Sequence, residues 1–593
     1  MRTRSRTAFL VAGLPAFLAC AKVNAPPATT GSAGGSGTAG GTGGSQVNGG
    51  AGGASPFFQP PCPNNVCSDF PADPIIDSGT PANAPTMFAG SPTGTAPCVY
   101  EPADGALFPK GLLRPRIKWS GTTGVHRITV HVGNQNRDLV AYTSQTFWMM
   151  PKDIWGSLSA HSAEEDITVT VRAARAGEST AKFQIAPVAA TGSIVFWAAN
   201  PMANDIRFTG DRTTATELRG FTVGDESTVA VLEVAQVQQG STLEDGTPRH
   251  VACMGCHAAT PDPDYIAFVD DWPWNLVVAG VKTGAVGSTL PGLTDGGLAA
   301  LNLPWGGMMA FSKPAWAPGR RLVVLASSLV DYTMPWATDT AKPGKLTWYN
   351  LDAPPAPMPK MVMPNVQFGE VARTGDSRGA AAPTWSHDGN TIVYCSTQGG
   401  NQDGALATGP TDLYSVPFAD GAGGPATPIA GASDPAYEEY YPAYSPDDLL
   451  IAYNRIPAGQ NMHSNPNSEV FVVPAKGGTA TRLAANDPPA CTGKKSPGVN
   501  NVWARWSPTV ASSGGKRYYW LLFPSFQSDV ATTDFRDRIS NLPVLQSQLY
   551  LTAVVQDSSG TIATHAGIYL WNQPTDRINA TPIWEVLEIP PVP

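Results

Sequence analysis

Pro383-Thr384-Trp385-Ser386-His387-Asp388-Gly389, followed by Thr391-Ile392-Val393-Tyr394, is the stretch on which the fold turns. It reads as a strand ending in an aromatic residue, a turn that needs Asp and Gly, and a second β-rich strand. The same unit recurs. Pro314-Ala315-Trp316-Ala317-Pro318-Gly319 leads into Arg320 to Leu325, and Pro442-Ala443-Tyr444-Ser445-Pro446-Asp447-Asp448 leads into Leu450-Ile451-Ala452-Tyr453. A further copy, Ala504-Arg505-Trp506-Ser507-Pro508, reaches Tyr518-Tyr519-Trp520-Leu521-Leu522 after a longer turn. A hairpin repeated at roughly 60-residue spacing cannot bury its own faces, so neighbouring sheets must cover one another.

These copies resemble the TolB-type β-propeller repeat over roughly residues 190–593. The resemblance implies an all-β propeller, with six blades expected. Gly192-Ser193-Ile194-Val195-Phe196-Trp197 would begin an early blade, and Pro582-Ile583-Trp584-Glu585-Val586-Leu587 would return to close the ring.

The chemistry concentrates in Cys253-Met254-Gly255-Cys256-His257. Two thiols separated by two residues and followed by an imidazole form the attachment pattern of a c-type haem. Cys253 and Cys256 would bond the porphyrin covalently, and His257 would be the proximal iron ligand. A structural disulfide, half a zinc site or a thioredoxin-like pair are the alternatives. No second Cys-x-x-Cys completes a zinc site, and the flanks read as strand and turn rather than as a βαβ unit. The motif falls in register with the repeat. Thr260-Pro261-Asp262-Pro263 takes the turn position, Tyr265-Ile266-Ala267-Phe268 the following strand, and His257 the slot of Pro314, Pro383 and Pro442. The haem motif therefore belongs to a blade, the second, rather than to a helical cytochrome domain. In this the chain resembles exported propeller proteins of Gram-negative bacteria that carry Cys-x-x-Cys-His at the same place. For the far face of the iron, Met308 and Met309 in Trp305-Gly306-Gly307-Met308-Met309 are candidates, because their loop sits at nearly the same repeat offset; His250 is another. Methionines in such a position also serve as core packing.

Ahead of the propeller, Arg116-Ile117-Lys118-Trp119, His126 to Val132 and Asp166 to Arg172 alternate apolar and polar residues, with turn signals such as Asp104-Gly105 between. Residues 98–188 are expected to form a small β-sandwich, and Glu101-Pro102-Ala103-Asp104-Gly105 with Pro115 and Trp119 resembles the start of immunoglobulin- or fibronectin-like modules. Residues 21–97 read as a flexible Gly/Ala/Ser/Thr-rich tether and an extended lead-in. Residues 1–20 read as an export signal: Arg2, Arg4 and Arg6, then a short apolar run ending Phe17-Leu18-Ala19-Cys20. This resembles a bacterial lipoprotein signal in which Cys20 is lipidated, although Phe17 stands where such signals usually have Leu. An ordinary cleaved signal is the alternative.

The expected setting is thus the bacterial cell envelope, with a lipid anchor in the outer membrane facing the periplasm or the surface, or else a soluble periplasmic protein. No later segment is apolar enough to span a bilayer. The formal net charge is −9 over 593 residues, with no lysine- or arginine-rich run, which argues against nucleic acid as a partner. No Gly-x-Ser-x-Gly, His-Glu-x-x-His or phosphate-loop motif is present. Eight cysteines leave five after lipid and haem are assigned. Cys62 could close a loop with Cys67, and Cys395 could pair with Cys491, leaving Cys98 spare. Three functions fit: a monohaem electron carrier docking a redox or envelope protein, a binding scaffold whose Cys-x-x-Cys is structural, or a haem enzyme such as a peroxidase or small-molecule oxidase.

Overall fold

In the computed structural model the residues described are 62–591, apart from 202–215, 243–247, 252, 271–275, 283–285, 289, 291–307, 328–343, 354–366, 399–408, 461, 463–464, 529–530 and 537–542. The signal, Cys20 and most of the tether lie outside them, as do Trp305 to Gly307.

The repeated turn closes through its own side chains. Ser386 Oγ donates to Asp388 Oδ1 at 2.6 Å, the Thr391 N–H donates back to Ser386 Oγ at 3.0 Å, and Gly389 takes a φ of 78°. Ser445 and Asp447 repeat the bond at 2.7 Å, with Asp448 in the glycine's place at a φ of 57°. In the second blade Thr260 Oγ1 donates to Asp262, and the Thr260 N–H reaches the Tyr265 carbonyl at 3.0 Å, so Thr260 to Pro263 is the same turn. A hydroxyl followed two residues later by a carboxylate satisfies the turn's backbone donors locally, which is why the pattern recurs.

Six sheets follow from these hairpins. The second blade runs from its inner strand outward as His257–Ala259, Tyr265–Val269 and Leu276–Gly280. The third runs Met309–Ala310, Arg320–Ser327, Lys345–Asn350 and Gln367–Glu370. The fourth comprises Gly379–Trp385, Thr391–Thr397, Thr411–Pro417 and Thr427–Pro428. The fifth comprises Tyr437–Tyr444, Leu450–Pro457, Glu469–Pro474 and Thr481–Arg482. Arg505–Trp506, Lys516–Ser525, Gln548–Gln556 and Ile562–Thr564 make the sixth. The first blade is built from both parts of the chain. Ile578–Glu585 is its inner strand, pairing antiparallel with Ser193–Ala199, outside which lie Thr216–Thr222 and Val229–Glu233. Hydrogen bonds between the two ends of the repeat region therefore close the ring, and the chain is a six-bladed β-propeller.

Apolar clusters fill the spaces between successive blades. Val195, Trp197, Ile266 and Phe268 pack between the first and second, and Tyr265, Val278, Val323 and Tyr349 between the second and third. Inner strands also share a kink. Ala382, Tyr441, Trp503 and Thr581 all have positive φ (44°, 54°, 55° and 41°), three of them directly before a proline, and the strand register shifts there in the fourth and fifth blades. Such a bulge re-aims the residues after it. In the repeat alignment Cys256 holds this position and His257 the residue after it.

Before the propeller, a six-stranded sheet containing His126–Val132, Ile167–Ala173 and Glu178–Ala189 faces a three-stranded sheet of Cys98–Glu101, Arg116–Ser120 and Phe147–Met149. Alternation accounts for the pairing: Ile128, Val130, Val169 and Val171 are fully buried. The lead-in is not simply a spacer. Ile75–Ile76 adds an edge strand beside Ala141 and Tyr142, and Ala84 and Phe88 pack on Tyr142. The core of the sandwich runs without a break into Trp520, Leu522, Leu551 and Trp584 of the sixth and first blades. Cys98–Cys491 ties the same two regions, across 393 residues.

Candidate functional site

The motif is clamped against the next strand of its blade. The Cys253 N–H donates to Asp270 Oδ1 at 3.0 Å, the Met254 N–H to Thr216 Oγ1 at 3.2 Å, and the Gly255 N–H to the Val269 carbonyl at 2.8 Å. A Cβ at Gly255 would lie 3.1 Å from that same carbonyl oxygen, a tight contact that would push the motif away from the Val269 strand. The Val269 N–H in turn donates to the Cys256 carbonyl at 3.1 Å, after which His257 opens the innermost strand opposite Phe268.

His257 is 4% exposed. Its Nε2 lies 3.4 Å from the Val195 carbonyl of the first blade, and its buried Nδ1 has no hydrogen-bond partner. Burial pushes the imidazole down to about 4, against the pull of the Val195 and Gly255 carbonyls and with some help from the Arg505 guanidinium. It is therefore held neutral, the form that ligates metals.

Inner strands of all six blades surround a cavity of about 220 Å³ on the propeller axis. Cys256 and His257 line it from the second blade, Met308 and Met309 from the third, Arg505 from the sixth and Glu585 from the first. The two methionines are 6% and 7% exposed, so the candidates from distant parts of the sequence share one wall. Cys253 does not line the cavity; it is buried behind Met254, with Thr216 Oγ1 3.7 Å from its sulfur. His250 ends a strand whose backbone pairs with Gln238, and its side chain is outside the described set.

Cys256 is a thiol, and Cys253 is disulfide-bonded outside the motif, so the two are not joined to each other. Cys62–Cys67 forms as the short spacing suggested. The expected Cys395–Cys491 pair does not: Cys491 joins Cys98, and Cys395 is a buried thiol in the fourth blade, whereas Cys491 lies on the face that meets the sandwich. Side-chain sulfur, oxygen and nitrogen atoms of Cys62, Cys67, Asp69 and His161 also lie within 4.8 Å of one another, but the two sulfurs are bonded together and His161 pairs with Asp69 at 3.0 Å.

Charge inside the channel is the feature that reading by motif passes over. Arg505 stands in the slot where other repeats have Thr384, Ala443 or Ile583, so its signal was one charged residue at an inner-strand position. Burial lowers its guanidinium to about 10, against the favourable fields of Cys256 and Tyr441. Glu585 is reached by cavity water yet hemmed in by protein, and that enclosure raises it to about 7, opposed by nearby His387. His387 is exposed in its turn at the edge of the cavity and bonded to Asp448 at 2.7 Å.

No protein-family model matches the chain, and no curated protein does. Similar solved structures include TolB from Acinetobacter baumannii, 13% identical over 71% of this chain and 79% of that one, with a TM-score of 0.34. A hypothetical selenium-binding protein from Sulfolobus tokodaii is 8% identical over 66% and 94%, with a TM-score of 0.34. A nidogen/laminin complex is 9% identical over 66% and 98%, with a TM-score of 0.31.

Proposed function

We propose that the chain is an exported propeller carrying one covalent haem c, with electron transfer as its task and the blades as a rigid mount. The observation that carries this reading is His257: a neutral, buried imidazole sharing a cavity with Cys256 and two methionine thioethers. Cys253 and Cys256 would hold the porphyrin edge, His257 would be the proximal ligand, and Met308 or Met309 the distal one. When bound, the haem supplies a one-electron couple, which a thioether ligand raises in potential. The chain's own contribution is to keep His257 neutral, to fix the motif's backbone through Asp270, Thr216 and Val269, and to exclude bulk water. Lipidation at Cys20 would hold the protein at an envelope membrane, where a redox protein docks.

The donor set fits the group, while the space requires a change. A cavity of about 220 Å³ is below the ~300–1,000 Å³ of pockets that take drug-sized ligands, so loading must widen the channel. That limit favours a second reading: a propeller scaffold that binds an envelope protein and carries no haem. Production with a cytochrome c maturation system, followed by haem staining after denaturing electrophoresis, separates them. Stain in the wild type that disappears in Cys256→Ala, with export retained, is the expected result. An unstained wild type establishes the scaffold reading, and stain surviving Cys256→Ala contradicts attachment at the motif.

A further inference from the structure

Arg505 is the one lysine or arginine among the described residues lining the axial cavity. Its guanidinium lies 4.8 Å from the centre of the Trp503 ring and donates from Nη1 to the Ala504 carbonyl at 2.9 Å, which leaves most of its donor fork unused. None of the ion pairs in the described structure involves it, and the cavity's carboxylate, Glu585, contributes nothing to its protonation. Arg505 is partly buried in the cavity wall with no carboxylate on its fork, and burial lowers its proton affinity against the fields of Cys256 and Tyr441.

We propose that Arg505 forms a carboxylate subsite on the propeller axis, in which the guanidinium takes one small monocarboxylate group. Size and charge select that class. The cavity admits a small molecule, and a single cation matches a single carboxylate. Glu585 on the adjoining first blade, when ionised, repels a polyanion more than a single carboxylate, disfavouring phosphate or a di-acid. Arg presents a planar fork that accepts a carboxylate with two parallel hydrogen bonds, while Trp503 holds the fork's plane from one side. The carboxylate has two possible sources: a free solute entering the channel, or a propionate of a porphyrin bonded at Cys256, which Arg505 faces across the axis. Only the second source rests on the haem reading.

The test uses full-length protein prepared without haem loading, titrated with sodium acetate against sodium chloride at equal ionic strength. Thermal midpoint and calorimetry are followed for wild type, Arg505→Gln and Arg505→Lys. Acetate should stabilise the wild type saturably beyond chloride. Arg505→Gln should weaken acetate about ten- to hundredfold, the equivalent of one charge-assisted hydrogen-bonded contact, and Arg505→Lys should retain part of the response. An acetate response equal in wild type and Arg505→Gln, or none in folded wild type, overturns the subsite. If Arg505→Gln does not fold, Arg505→Lys decides: an undiminished acetate affinity would mean that the fork does not bind. In haem-loaded protein, loss of the acetate response seen without haem assigns the subsite to a propionate, and an unchanged response assigns it to a free solute.

Discussion

Trp584→Ala should destabilise the propeller by about 5 kcal/mol. The ring is closed by Ile578–Glu585, and Trp584 is the largest side chain of that strand, 1% exposed in the core shared by the first blade, the sixth blade and the sandwich. Truncating a buried Trp costs about 3–5 kcal/mol through lost contacts and the cavity left behind. Its Nε1 also donates to the Thr191 carbonyl at 2.9 Å, which adds about 1 kcal/mol, the carbonyl being partly reached by water. Trp584→Phe keeps most of the ring and loses mainly the hydrogen bond, so about 1–2 kcal/mol is expected. Val586, two residues on and 60% exposed, provides the control; Val586→Ala should stay within about 0.5 kcal/mol. Guanidinium unfolding monitored by circular dichroism, comparing midpoints of the first transition, is the assay. Trp584→Ala and Val586→Ala shifting the midpoint equally would mean that the carboxyl-terminal strand does not lock the ring.

Replacing Cys98 and Cys491 together with Ser should cost stability toward the upper end of ~2–5 kcal/mol, because the link closes a span of 393 residues; a change below about 1 kcal/mol in the same unfolding assay would contradict it. Gly255→Ala drives a Cβ to 3.1 Å from the Val269 oxygen and should lower the thermal midpoint, whereas Gly514→Ala, whose Cβ meets nothing, serves as a strain-only comparison at a φ of 56°. Stability should also fall between pH 6 and 8. Burial works against the proton on His387, but the hydrogen bond and charge of Asp448 outweigh it and raise its affinity. The pair's contribution is therefore complete below the ordinary value of 6.5 and fades as pH climbs through the raised one. Glu585, raised to about 7 from 4.5, acts in the same direction. Thermal midpoints of His387→Gln should show a flatter slope across that window, and an unchanged slope would remove the pair from the account.

What the sequence disclosed is what local chemistry encodes. Each Ser-x-Asp-Gly turn satisfies itself within five residues, so Ser386 to Thr391 and Ser445 to Leu450 announce their hairpins, and Thr260 to Tyr265 places the thiol motif in the second blade by the same logic. The return of Pro582 to Leu587 was legible because only an unpaired inner strand at the far end can close such a ring. Nothing local announced the Cys98–Cys491 pair, which depends on how the sandwich docks on the sixth blade. The continuous core from Ile128 to Trp520 was hidden for the same reason: alternation tells which face of a strand is apolar, not which neighbour covers it. The kink at Ala382 and Tyr441 falls just before the repeat's proline, but a left-handed φ at a non-glycine residue is not legible from that proline alone. Arg505 was visible as a charge out of pattern but had no meaning until six inner strands were brought to one axis.

The measurement that bears most directly on the account is the reduced-minus-oxidised visible spectrum of the protein produced with a cytochrome c maturation system, recorded before and after denaturation in alkaline pyridine. A sharp α-band that persists in the denatured chain and is lost in Cys256→Ala is the predicted result, and it would fix a covalent haem on the second blade. A featureless spectrum from protein matured alongside a control cytochrome would contradict it, leaving Cys253 and Cys256 as structural sulfurs of a binding propeller.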